Sequence, residues 1–319
     1  MPKQKDTGKA FEYVTLITLY NSLQEDQQVE IIKTPAFNNA ESSYNSSEES
    51  LKTNMDLAAK AAIKVLLKME PNLENSKDNS PLFLSLQEDS TGQKGDVRDI
   101  LTVRKQNGWE IGISCKHNHT AVKHNRLSSN IDFGNKWFKI PVSQKYFDEI
   151  NPLFNELKEM KEKKLLWRDV ENKEERFYMP LLKSFMDELN RLDSQNSEVV
   201  PDRLLKYLLG KYDFYKIITN DSQHTTKIQA FNINNTLNCS AGNIRPKDRA
   251  PRLTMPKRFH SIDFKANSTN TIIIVCDGGW TISMRIHSAK SEVEPSLKFD
   301  VRLEGISSKL YSHVEHWGC

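Results

Sequence analysis

Two periodicities divide the chain. In residues 8–23, Phe11, Val14, Ile17 and Tyr20 form a drifting apolar stripe that predicts a helix, with Glu12 one position off the stripe. Residues 56–69 predict a second helix, with Ala58, Ala62, Val65 and Met69 on its apolar face and Pro71 ending it. Residues 38–53, rich in Asn, Ser and Glu, read as a polar loop, and 73–95 as loop around a short strand at 82–86. From 142 to 209 the spacing is helical again: Tyr146, Ile150, Phe154 and Leu157 make one stripe, and Phe177, Leu181, Phe185 and Leu189 another. Pro201 opens a further helix and Gly210 ends it. Lysines and glutamates between 156 and 175 read as a solvated face. Beyond Tyr212 the pattern turns to strands at 214–219, 226–233, 261–264, 271–276, 280–286 and 297–303, with Asp277-Gly278-Gly279 as a turn. The tryptophans fit core or turn packing. There is no internal repeat. The reading is an α+β chain in three consecutive parts, 1–140, 141–210 with a helical middle, and a β-rich 211–319.

The sharpest local geometry lies at 97–105 and 110–116, two strand-like runs joined through Asn107-Gly108, a pair that favours a tight type I′ hairpin. With a two-residue loop, Gln106 faces Trp109, Leu101 lies opposite Ser114, and Asp99 lies opposite Lys116, their β-carbons about 5 Å apart. Alternation puts Val97, Asp99, Leu101 and Val103 on one face with Glu110, Gly112, Ser114 and Lys116, and puts Arg98, Ile100, Thr102, Ile111, Ile113 and Cys115 on the other. An aspartate and a lysine together suit a hard divalent cation beside a phosphate; a plain cross-strand ion pair, worth about 0.2–1 kcal/mol, fits the same spacing. Asp96, near His119 and beside a turn at Gly95, is a competing carboxylate. Glu110, six strand residues or about 20 Å from Lys116, instead faces Lys105 as a surface pair.

Composition narrows the class. The longest apolar runs, such as 271–276, cannot span a bilayer, no apolar segment follows the start, and the four cysteines are irregularly spaced, as suits a reducing cytoplasm. The formal net charge of +3 by itself weakens a nucleic-acid reading, but it averages over patches. Residues 243–260 hold Arg245, Lys247, Arg249, Arg252, Lys257 and Arg258 against Asp248 alone, spaced by Pro246, Pro251 and Pro256. Such an extended basic segment can track phosphates, or be a solvated loop. Lys123, Arg126, Lys136 and Lys139 add charge after the hairpin. Asn118, His119, Asn125 and Arg126 have side chains suited to base edges, and Arg285 can do the same or pair with Glu294. Phosphate contacts come before base contacts in this expectation. Cys115, His117, His119 and His124, and His313-x2-His316-x2-Cys319, are weak zinc patterns without standard spacing.

Gly95-Asp96-Val97-Arg98-Asp99, the hairpin, Glu-Ile-Gly-Ile-Ser-Cys-Lys-His-Asn-His at 110–119, Ala-Val-Lys-His-Asn-Arg-Leu-Ser at 121–128, Ile131-Asp132-Phe133-Gly134-x-x-Trp137, and the blocks at 279–287 and 293–300 together resemble the HaeIII-type type II restriction endonucleases. The resemblance runs from Gly8 to about Gly305. It implies a PD-(D/E)xK-like mixed sheet flanked by helices within 1–140, a recognition part in 211–319, Mg²⁺ dependence, and cleavage of double-stranded DNA at GGCC, centrally, to blunt ends with 5′-phosphates. It gives Asp99 the role of the metal-binding aspartate and Lys116 that of the motif lysine. The motif's acid two positions before the lysine is here Ser114, so another acid completes the site: Glu12, from a helix reading Gly-x-x-Phe-Glu, or Asp132. The backbone carbonyl of Cys115 is an extra ligand in this expectation. A palindromic target suits a two-fold homodimer, and the host needs a methyltransferase for the same site. Two other classes compete: a DNA-binding protein inactivated at Ser114, and a structure-selective repair nuclease.

Overall fold

A computed structural model describes residues 4–74, 80–88, 95–119 and 122–318, without the side chains of residues 4, 5, 123 and 124. Ala121 and Cys319 of the motifs, and the side chains of Lys123 and His124, lie outside the described residues. The chain runs through α1 (Gln4–Leu23), β1 (Val29–Ile32), α2 (Pro35–Asn45), α3 (Glu49–Met69), β2 (Leu82–Leu86), β3 (Ile100–Arg104) and β4 (Trp109–His117). Then come β5 (Lys123–Leu127), α4 (Phe133–Phe138), α5 (Gln144–Glu162), α6 (Met179–Gln195) and α7 (Val199–Leu209). Strands β6 (Phe214–Asn220), β7 (Thr225–Phe231), β8 (Phe259–Phe264), β9 (Thr271–Cys276), β10 (Thr281–His287), β11 (Leu297–Gly305) and β12 (Tyr311–His316) complete it. The class is α+β, as the periodicities predict. No helix among the described residues is long and apolar enough to cross a membrane.

The chain groups into two compact units rather than following the three consecutive parts read from the sequence. One compact unit comprises Met1–Thr120, Gly210–Leu253 and Lys309–Cys319, and a second comprises Ala121–Leu209 and Thr254–Ser308. Strand pairing sets membership, not chain order: β4 pairs in parallel with β6, from far along the chain.

The first unit holds a mixed seven-stranded sheet in the order β1-β2-β3-β4-β6-β7-β12. Ile111, Ile113 and Cys115 of β4 turn to the core with Tyr215, Ile217 and Ile228, under Ala10, Phe11 and Val14 of α1 and Ala58, Ala62 and Val65 of α3. On α1, Phe11 and Val14 are buried as expected, but Ile17 and Tyr20 are only half-buried. Steps of three drift off a 3.6-residue turn, and Ala10, Leu16, Leu19 and Leu23 take their place in the core. The polar stretch 38–53 is mostly helical rather than loop: α2 covers it to Asn45 and α3 resumes at Glu49. Thr34 caps α2 by accepting from the Phe37 N–H, Pro35 starts the helix, and Ala36, Phe37 and Ala40 bury its inner face.

The β3–β4 hairpin forms with its register displaced by two residues: Arg104 pairs with Trp109 and Ile100 with Ile113. Residues 105–108 make a four-residue turn in which Asn107 accepts from the Trp109 N–H and Gly108 takes φ 67°. Because the displacement is even, the strand residues keep their faces. Glu110 pairs with Val103 rather than Lys105 and accepts from the Arg98 guanidinium at 2.5 Å. Arg98 precedes β3 and folds onto the face predicted for Gly112, its Nε and Nη2 each 2.8 Å from an Asp96 oxygen. A β-carbon at Gly112 would lie 1.9 Å from Arg98 Cδ. Gly112→Ala is expected to expel Arg98 and cost about 2–4 kcal/mol, measured by urea unfolding.

Glu70, at the end of α3, is fully buried, and accepts from the Tyr215 hydroxyl at 2.7 Å and from the Asn238 N–H. Burial outweighs these hydrogen bonds and pushes its carboxyl up to about 7. The folded pKa exceeds the unfolded one, so this group's stability is full below about 4.5 and is lost as pH rises through about 7. Glu70→Gln should therefore flatten the fall in melting temperature between pH 5 and pH 8.

In the second unit an antiparallel sheet, β5-β11-β10-β9-β8, carries the helical segment. All eight apolar positions of the two predicted stripes are buried, and the Phe185 ring packs on Phe133 at 4.7 Å and on Phe299 at 5.3 Å. The strand β5, Lys-His-Asn-Arg-Leu, has no apolar alternation and went unpredicted, as did β1 and β12.

Candidate active site

Asp99 sits one residue before β3. Its N–H donates to the Ile113 carbonyl at 2.8 Å, which fixes it beside Ser114 and brings the next residues of β4 within reach. Its Oδ2 accepts from the Ser114 hydroxyl at 3.1 Å, the Cys115 N–H at 2.7 Å and the Lys116 ammonium at 3.4 Å. All three bonds fall on one oxygen; Oδ1 takes none among the described residues. Ser114 thus orients the aspartate from the position where the motif carries an acid.

Glu12 arrives from α1, buried, with Lys9 one turn earlier at 2.8 Å. Burial first, and then the Asp99 carboxylate, push its carboxyl up to about 7 against the pull of Lys9 and Lys116. Burial would discharge Lys116, but Asp99 and Glu12 outweigh it and raise its pKa, so it stays an ammonium. The Cys115 side chain lies in the core on the opposite face, and burial pushes its thiol well up. In a strand the N–H and C=O of one residue point to the same side, so the Cys115 carbonyl shares the edge that meets Asp99. Among the described residues no three His, Cys, Asp or Glu side chains gather as a metal cage. A divalent ion nevertheless fits the chemistry: two adjacent carboxylates repel, one oxygen of Asp99 is already held, and the donors are hard oxygens.

The other expected acids are engaged elsewhere. Asp96 is clamped by Arg98 and by Gln87 at 3.0 Å; burial opposes ionisation, yet the Arg98 hydrogen bonds hold its carboxyl below the usual range. Asp132 belongs to the second unit and caps α4, accepting from the N–H groups of Asn135 at 2.7 Å and Val142 at 3.2 Å. His117 is half-buried 3.0 Å from Asp221, and the exposed Asn118 exchanges hydrogen bonds with the same aspartate. Asn125 is buried on β5. His119 is half-buried. Arg126 is exposed and meets Ser296 and Glu294; Arg285 is exposed and meets Asp300 at 3.6 Å, not Glu294. Arg245, Lys247, Arg249 and Arg252 are exposed in the first unit, and Lys257 and Arg258 in the second, so the basic segment is divided between them.

Sequence reasoning missed Lys216. In the parallel pairing of β4 with β6 it stands beside Ser114 and therefore on the same face, 4% exposed. Burial, and then Lys116, push its ammonium down to about 7, while Asp99 pulls the other way. A lysine inside the apolar run Phe214-Tyr-Lys-Ile-Ile was the available signal.

The family model described as HaeIII restriction endonuclease matches residues 8–307. The curated Type II restriction enzyme HaeIII of Haemophilus aegyptius is 40% identical over 315 residues, covering 99% of this chain and 98% of that one. No solved structure matches. With a match over nearly its whole length to both, the chain belongs to the HaeIII restriction endonuclease family.

Proposed function

We propose that this type II restriction endonuclease cuts double-stranded DNA centrally at GGCC, in a Mg²⁺-dependent reaction that leaves blunt ends with 5′-phosphates. The observation that carries the chemistry is the convergence on Asp99 Oδ2 of Ser114, Cys115 and Lys116, beside the buried Glu12. Asp99, Glu12 and the Cys115 carbonyl hold the ion, which when bound supplies positive charge to a phosphate oxygen and lowers the pKa of water. Ser114 and the Cys115 N–H keep the Asp99 carboxylate in one orientation. Lys116, kept charged by its two acids, orients the attacking water and offsets charge developing on the phosphate. The water oxygen bonds to phosphorus in line with the departing 3′-oxygen, which leaves as a 3′-hydroxyl.

The exposed arginines and lysines between Arg245 and Arg258 contact backbone phosphates, while Arg126 and Arg285 offer guanidinium groups of the kind that pair with guanine. His119 and Lys123 add DNA contacts in this reading. A two-fold homodimer would match the palindrome, acting in the cytoplasm of a host whose methyltransferase protects the same sites.

A plasmid carrying GGCC sites, incubated with the protein in Mg²⁺ and in EDTA, tests this reading. Discrete fragments ending between G and C, formed only with Mg²⁺, are expected. Tight binding without cuts in either condition would instead favour a DNA-binding protein disarmed at Ser114. Cutting of branched DNA regardless of sequence would favour a repair nuclease.

A further inference from the structure

In the sheet of the second unit, Leu297, Phe299 and Val301 of β11 turn inward and are fully buried, so alternation turns Lys298, Asp300 and Arg302 to the other face. The residues of β10 paired with these three are His287, Arg285 and Ser283. Asp300 thus stands directly across from Arg285, and Arg302, two residues further along β11, lies diagonal to Arg285 on the same face. One carboxylate oxygen serves both arginines: Asp300 Oδ2 accepts from Arg302 Nη2 at 3.3 Å and lies 3.6 Å from Arg285 Nη2. The aspartate side chain is 10% exposed and each arginine side chain 52%, so a sunken acid carries two cations that face solvent. Two adjacent cations repel, and the shared acid offsets that repulsion while fixing where the guanidiniums point. Ion pairs this exposed add little to the stability of a fold. A guanidinium has five donors in a planar fork, and the contact with Asp300 occupies only the Nη2 side, so each fork keeps donors for a ligand with paired acceptors. Arg126, on the next rung against Lys298, is tied instead to Ser296 and Glu294.

We propose that Arg285 and Arg302 are the guanine-reading pair of this endonuclease, each donating to N7 and O6 of one of two successive guanines in the major groove, and that Asp300 is the positioning residue that holds both. A guanine edge presents two neighbouring acceptors in that groove and the other three bases do not, which is why a planar fork of donors selects it. Successive bases on one strand are about 3.4 Å apart along the helix axis, a step that suits two guanidiniums gathered on one carboxylate. This assignment rests on the GGCC reading, in which each half-site holds two adjacent guanines on one strand. It has a signature that a surface ion pair or a phosphate contact lacks: sensitivity to a single acceptor atom of a single base.

The full-length protein, Arg285→Ala, Arg302→Ala and Asp300→Ala are titrated, in EDTA and in Ca²⁺, with a GGCC duplex and with a duplex lacking GGCC. Two further duplexes carry 7-deazaguanine at the first or the second guanine of both half-sites, which removes the N7 acceptor. Wild type should bind each 7-deaza duplex about tenfold more weakly than the natural one. Arg285→Ala should lose that penalty at one guanine and Arg302→Ala at the other, while Asp300→Ala reduces it at both. Phosphate contacts would weaken all duplexes alike and leave the penalties as they are. No penalty in wild type, or penalties kept at both guanines by either arginine variant, overturn the proposal; both arginines are exposed, so this arm holds even if Asp300→Ala fails to fold. Penalties unmoved in folded Asp300→Ala overturn its positioning role. Equal binding by wild type of the duplexes with and without GGCC, in both conditions, would instead remove the GGCC reading beneath the assignment.

Discussion

Asp99→Ala is expected to lower the cleavage rate by at least about 10³-fold while leaving the affinity for a GGCC duplex in EDTA within severalfold of wild type. The substitution removes at once the acceptor for Ser114, Cys115 and Lys116 and one of the two carboxylates offered to a cation. Lys116→Ala should act similarly on rate, because it deletes the ammonium that two acids hold charged. The fold should survive both changes: Asp99 and Lys116 are partly exposed, and neither is a member of the apolar cluster between the sheet and α1 and α3. Single-turnover cleavage and anisotropy titration on the same preparations separate rate from binding. Loss of binding to the same extent as rate would mean that the pair serves recognition rather than chemistry.

The second large effect concerns Glu12. Glu12→Gln should reduce the rate by about 10²–10³-fold and raise the Mg²⁺ concentration for half-maximal rate about tenfold, since an amide keeps the shape but not the charge. The same variant should be more stable than wild type at pH 8. The folded carboxyl is pushed up to about 7 from an ordinary value near 4.5, so its contribution to stability is full below about 4.5 and lost as pH rises through about 7. Glutamine removes that loss. A gain in stability with a loss of rate is the pattern of a residue kept for function at a cost to the fold. Thermal melts at pH 5 and pH 8 beside the Mg²⁺ titration check both halves. A stability unchanged with pH in the variant relative to wild type would remove burial as the source of the Glu12 shift.

How much of this site is legible in the chain depends on the residue. The Asn107-Gly108 turn brings Asp99 and Lys116 together, although a four-residue loop moves the register by two; an even displacement preserves strand faces, so both side chains stay on one face. Glu12 was visible only through the motif it resembles, because a lone acid one step off an apolar stripe is ordinary in helices. Its burial follows from α1 being covered on a wider arc than the stripe Phe11-Val14-Ile17-Tyr20 describes. Arg98 was placed on the wrong face because it lies before the strand starts, where alternation does not apply, and Gly112 opens the space it fills. The interleaved units are illegible because the pairing of β4 with β6 joins segments separated by the whole helical middle, and no local pattern encodes a partner that distant; the apolar run around Lys216 marks that lysine as unusual but not which strand it stands beside.

Glu12, Asp99 and the Cys115 carbonyl would together hold a divalent ion, and the polypeptide itself can report where that ion binds. Iron(II) bound in place of Mg²⁺ and treated with ascorbate and peroxide cuts the polypeptide next to the ion, and the fragments report where it lies. Cuts clustered near residues 12, 99 and 115, competed by Mg²⁺ and absent in Asp99→Ala, are the predicted result. Mg²⁺-competed cuts at other positions, or the same cuts in Asp99→Ala, would contradict it.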